Sequence, residues 1–144
     1  MDNKTTKLPK WFWVVSIIFL LWNLMGVFNY LNQAYNSVQM LEGMTPEQIA
    51  TFESIPAWAT GAFAIAVFIG TIASIGLLTR KKWALPFFWI SLIAAIAQFM
   101  NWLFISNAVE VFGPTTYIMP IIVMLIGLYE VLFSKKGIKK SWLK

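Results

Sequence analysis

Four long apolar runs organise the chain: Trp11 to about Leu31, Ala57–Thr79, Trp83–Ile105 and Thr115–Phe133. Each is roughly 19–23 residues, close to the ~20 needed to cross a hydrocarbon core of about 30 Å as an α-helix. None alternates in the period-2 manner of a half-buried strand, so the pattern predicts four transmembrane helices. Polar positions mark their ends. Pro9, Pro56, Pro86 and Pro114 lie at or near first turns, where a missing N–H removes no intrahelical bond. Pro120 falls inside the fourth run and predicts a kink there. The turn Thr79–Lys82 is short enough to impose an antiparallel helical hairpin.

The segment between runs one and two, about Asn32 to Pro56, is long enough to hold structure. Thr45-Pro46-Glu47-Gln48 has the form of a capping box, with Thr45 as N-cap, proline at N1 and Gln48 at N3. It predicts a short surface helix from Pro46 to about Glu53. Ile49 and Phe52 face inward on it, and Glu47 and Glu53 outward.

Charge fixes the orientation. The eleven Lys and Arg residues fall in three clusters beside the runs: Lys4, Lys7 and Lys10; Arg80, Lys81 and Lys82; and Lys135, Lys136, Lys139, Lys140 and Lys144. The other two connections carry only acids, Glu42, Glu47, Glu53 and Glu110. This alternation follows the positive-inside rule, with both termini cytoplasmic and both acidic loops outside. Trp11, Trp13, Trp83 and Trp142 then fall at the inner interface, and Trp58 and Trp102 near the outer one, as an aromatic belt requires. Trp22, inside the first run, does not belong to that belt.

Composition sharpens the class. The 144 residues are 59% hydrophobic and 12% charged, against about 25% charged in soluble domains. A single four-helix transmembrane domain spanning 1–144 accounts for this. The net charge of +5 flanks the spans and forms no stripe for nucleic acid, so its expected partners are the bilayer and, at the lysine-rich tail, anionic lipid head groups. The N-terminal apolar stretch is too long for a signal-peptide h-region and is followed by no A-x-A-like site, so it is expected to remain as a span.

The chain has no Cys and no His. Thiol chemistry, Cys/His zinc sites and His-ligated haem are therefore excluded. Six carboxylates, mostly in loops, leave few general acids or bases, so neither an enzyme nor a metal or cofactor site is expected. The second run instead carries a ridge of small residues, Ala62, Ala66, Gly70 and Ser74, suited to close helix packing.

Polar residues within the runs are the candidate site, because they are costly in lipid. Asn23 and Tyr30 lie in the first run. Gln98 and Asn101 lie three apart, hence on one face, in the third. In the expected topology they share the outer half of the membrane with Trp22 and Trp102. Amide and indole groups together suit a sugar-like or other neutral polar solute. The alternative is that these side chains only join helices by hydrogen bonds, about 0.6 kcal/mol each. Glu130, the one acid inside an apolar run, is either a salt-bridge partner of Arg80–Lys82 or a coupling carboxylate.

Several stretches, in order, carry a resemblance: Trp22-Asn23-Leu24-Met25-Gly26-Val27, Met44-Thr45-Pro46-Glu47, Pro56-Ala57-Trp58-Ala59, Arg80-Lys81-Lys82-Trp83-Ala84, Gly113-Pro114 with Met119-Pro120-Ile121, and Lys140-Ser141-Trp142-Leu143-Lys144. They resemble a family of small bacterial four-span inner-membrane proteins often labelled "sugar transporter". In size and topology the chain is also similar to DoxX-like four-span proteins. The resemblance implies a multi-pass protein of the bacterial inner membrane. It implies either solute transport or binding, with a homo-oligomer as the form a four-helix transporter would need, or a non-transporting accessory role.

Overall fold

The computed structural model describes residues 7–35 and 38–144. Lys4 of the first basic cluster lies outside the described residues. The described chain is all helical, and four of its helices are long and apolar enough to cross a membrane. They are α1 (Lys10–Ala34), α4 (Ala57–Leu78), α5 (Ala84–Met100) and α7 (Ile118–Lys139). Two short helices, α2 (Val38–Leu41) and α3 (Pro46–Glu53), lie between α1 and α4. A third, α6 (Ala108–Phe112), lies between α5 and α7.

The α3 helix occupies the span its capping box predicts. Gln48 N–H donates to Thr45 Oγ1 at 3.2 Å, and Thr45 N–H donates to Gln48 Oε1 at 3.1 Å. Phe52 and Ile49 are half-buried, and Glu47 and Glu53 exposed. The second connection holds α6, which no capping signal announces. It starts after Asn107, in the left-handed region at φ 56°, and ends at Gly113 with φ 89°.

Two spans depart from simple helices. The third ends in a π-helical turn, Asn101–Ile105, in which Ser106 N–H donates to the Asn101 carbonyl at 2.9 Å. The fourth begins with a 3₁₀ turn, Pro114–Tyr117, and becomes α-helical only at Ile118. Pro120 therefore stands in the first turn of α7 and not in mid-helix. It has no intrahelical bond to lose there, so the kink expected of it is replaced by the 3₁₀-to-α change just before it.

Helix α4 is the packing centre. Its face of Ala59, Ala66, Val67, Gly70, Ala73, Ser74 and Leu77 is buried, and it packs against both α1 and α5, while α5 also packs on α7. Small residues allow that approach. A Cβ on Gly70 would collide with the Asn23 side-chain oxygen and stand 2.9 Å from Ser91 Oγ. Ser91 reaches across from α5 to donate to the Ala66 carbonyl at 2.6 Å.

The densest packing lies at the lysine-rich end. Phe12, Phe19, Leu77, Phe88, Val131, Phe133, Trp142 and Leu143 form one buried cluster there. The start of α1 and the C-terminal tail meet in it. The Trp11 ring stands 5.3 Å from that of Trp142, edge to face, and the Lys136 ammonium lies 5.2 Å from the Trp11 ring centroid. Helices α4 and α7 both end in Schellman motifs with a non-glycine left-handed residue, Arg80 at φ 60° and Ser141 at φ 58°. Lys81 N–H donates to the Gly76 carbonyl at 2.7 Å, and Trp142 N–H to that of Gly137 at 2.8 Å. The two ends then bind each other: Lys144 N–H to the Arg80 carbonyl at 2.7 Å, Lys82 N–H to the Lys144 carbonyl at 3.1 Å, and Arg80 Nε to the Trp142 carbonyl at 2.8 Å.

Candidate functional site: a polar cavity at the acidic end

A cavity of about 610 Å³ opens among α1, α4, α5 and α7 and reaches the loop helices at the acidic end. Five of the six residues singled out from the sequence line it: Trp22, Asn23, Gln98, Asn101 and Trp102. Asn29, Asn32 and Gln33 of α1 add to its polar wall. Asn29 lies within the first run, beside Tyr30, and is one of the polar span residues expected in a pocket, whereas Asn32 and Gln33 lie just beyond the run. Met40 of α2, together with Phe52 and Ile55, closes the cavity from the loop side. Phe52 packs at a tilt against Trp102 with ring centroids 5.1 Å apart, and Phe112 of α6 packs edge-on against Phe52 at 5.6 Å. The helix predicted from a capping box thus positions an aromatic side of the cavity.

Tyr30 is the exception. It lies on the Asn23 stripe of α1, but its ring meets Phe63 at 5.6 Å and Phe68 at 5.7 Å, and it does not line the cavity. The cause is helical spacing: seven residues separate Tyr30 from Asn23, but the cavity curves away from that stripe toward Asn29 and Gln33.

The π-helical turn sets the aim of Asn101 and Trp102. The extra residue in the turn shifts the register beyond Met100, so both side chains enter the cavity while Gln98 does so from the regular helix. Asn101 is 1% exposed.

Glu130 also lines the cavity, at its inner end. It is 3% exposed. The Asn23 amide donates to Glu130 Oε1 at 3.0 Å, to Ser74 Oγ at 3.2 Å and to the Phe19 carbonyl of its own helix at 2.8 Å. Asn23 therefore ties α1 to α4 and α7 at one point. The ion pair expected between Glu130 and the Arg80–Lys82 turn is replaced by this bond. Arg80 is engaged with the Trp142 carbonyl, and Phe133, Trp142 and Leu143 belong to the buried cluster at that end. Because α7 continues through the lysines to Lys139, Glu130 lies nine residues, roughly 14 Å, from the helix end.

Comparison with protein-family models, with curated proteins and with solved structures finds no match. The chemistry of the site therefore rests on its own geometry. The walls combine amides, indole and phenyl faces with a single carboxylate, and among the described residues no group of three or more His, Cys, Asp or Glu could hold a metal. Such a lining can offer hydrogen bonds and aromatic faces to a molecule that enters it.

Proposed function

We propose that this multi-pass membrane protein binds a small polar solute in the cavity, as a transport or solute-binding protein. What supports this most is the convergence on one volume of Asn23, Gln98, Asn101, Trp22 and Trp102 from two spans far apart in sequence. Amides that serve only as glue have no need to surround a space of ligand size. By the positive-inside rule the lysine-rich end is cytoplasmic and the cavity faces outward. A bacterial inner membrane is the setting this orientation and the family resemblance suggest. The same resemblance favours sugars or similar solutes, and four helices per chain favour an oligomer for transport.

One observation favours the second reading, an accessory protein held together by polar contacts. Asn23 spends its amide hydrogens on Ser74 and Glu130, as a joint between helices does. The test separates the two readings at Gln98 and Asn101. Replacing both with Leu removes two polar groups from the cavity wall. Under the binding reading the variant melts in detergent at or above the wild-type temperature, and solute binding or uptake is lost. Under the accessory reading their partners are orphaned, and stability falls by roughly 1–3 kcal/mol. A clear drop in melting temperature counts against the pocket.

A further inference from the structure

We propose that the occupant of the cavity is an organic ammonium ion, whose positive charge sits against the Glu130 carboxylate. This rests on the proposed solute-binding role and names the class of solute.

Among the described residues, Glu130 is the only charged one on the cavity wall, and no Lys or Arg lines it. Among the described residues its carboxylate receives one donor, the Asn23 amide on Oε1. A carboxylate has about four lone-pair sites. No sealed side-chain oxygen among the described residues lacks a partner, so the second carboxylate oxygen is not sealed and opens on the cavity it lines. An acid in an apolar bundle is held at a cost that a paired opposite charge removes. Among the described cations, Arg80 donates to the Trp142 carbonyl, Lys136 lies over the Trp11 ring, and the other lysines are exposed. A cation that pairs with Glu130 would therefore come through the cavity.

The walls specify what kind of cation. Trp22, Phe63, Phe99 and Trp102 present aromatic rings to the same space, and ring faces attract alkylammonium groups within about 6 Å. A bare metal ion requires several oxygen ligands at fixed distances. One carboxylate among aromatic rings in a space of about 610 Å³ does not supply them. A quaternary or protonated amine fits both features: charge for Glu130, and N-methyl or methylene groups for the rings. Gln98 and Asn101, further toward the opening, are placed to accept or donate hydrogen bonds at its polar end.

The experiment uses the full chain in neutral detergent and three probes. They are choline, 3,3-dimethyl-1-butanol, which has the same shape with carbon in place of nitrogen, and glucose. Sodium chloride at equal concentration is the ionic-strength control. Choline is expected to raise the melting temperature by roughly 5 °C or more once well above its Kd, and the alcohol to leave it unchanged. Glu130→Gln keeps an acceptor for Asn23 and is expected to abolish the choline shift. The choline-to-alcohol comparison on the unmodified chain needs no variant, so it stands even if Glu130→Gln folds poorly. Equal shifts from choline and the alcohol, or a choline shift retained in Glu130→Gln, overturn the ammonium assignment and leave the pocket standing. Stabilisation by glucose alone does the same. No shift with any probe overturns the ammonium assignment, and the Gln98→Leu/Asn101→Leu result then decides the pocket itself.

Discussion

The two ends of this bundle are built from the same residue types to opposite effect. At the lysine-rich end, Phe12, Phe88, Phe133 and Trp142 pack with Leu77 and Leu143 into one buried cluster. At the acidic end, Trp22, Phe63, Phe99 and Trp102 stand around a cavity. The difference lies in what accompanies the rings. The closed end has small residues and backbone hydrogen bonds to draw elements together: Gly76 under the Trp83 ring, Gly137 under Leu143, and two Schellman turns bonded to each other. The open end intersperses amides, which cannot all pair across a dry interface and so keep the helices apart. Aromatic content alone thus decides neither packing nor cavity. The polar atoms between the rings do.

Asn23 is the joint between the two regions, so breaking it should have the largest effect. Asn23→Leu leaves Ser74 and the Glu130 carboxyl without their shared donor. Ser74 keeps its bond to the Gly70 carbonyl, so the cost falls on the buried acid and should be about 3 kcal/mol. Chemical denaturation in detergent or bicelles measures this. A loss under about 1 kcal/mol would mean that the two regions are not coupled through this residue.

Trp142→Ala attacks the closed end alone. Its ring packs on Trp11, Phe12 and Phe133, and its carbonyl holds Arg80. In water such a truncation costs 3–5 kcal/mol. Near lipid the transfer component shrinks, because acyl chains are as apolar as the core. About 2 kcal/mol should remain, from the cavity left behind and the lost contacts. Solute binding at the far end should be unaffected. If binding falls in step with stability, the two ends are one cooperative unit.

The frame of this contrast is legible in the sequence, and its content only partly so. Four spans, the hairpin at Thr79–Lys82 and the helix after Thr45 each rest on a local cause: run length, loop length, capping chemistry. Local causes survive folding. The gathering of Trp22, Asn23, Gln98, Asn101 and Trp102 also follows from depth, since residues at one level of neighbouring spans tend to meet. Tyr30 fails because depth says nothing of facing. Glu130 was visible as an intramembrane acid, but its partner was not. The lysine turn looked near in topology, yet its Arg80 is engaged with the Trp142 carbonyl of the tail. The π-helical turn at Asn101 has no local signature, because it answers to packing between spans.

The smallest expected effect touches the open end alone. Thr45→Ala removes the hydroxyl that accepts from Gln48 N–H and leaves half of the capping box. Loss of such a cap costs about 1 kcal/mol. Helix α3 is short and joins the bundle mainly through Phe52 against Trp102 and Phe112, so the loss should appear as local fraying and leave the global melting temperature nearly unchanged. Amide hydrogen exchange at Gln48 and Ile49 should quicken about fivefold, as 1 kcal/mol requires. Exchange along α4 and α7 should not change. If Phe52 holds one side of the cavity in place, this variant also releases bound solute faster while the closed end keeps its stability. A slowed release would show that α3 obstructs the entrance instead of forming part of the wall.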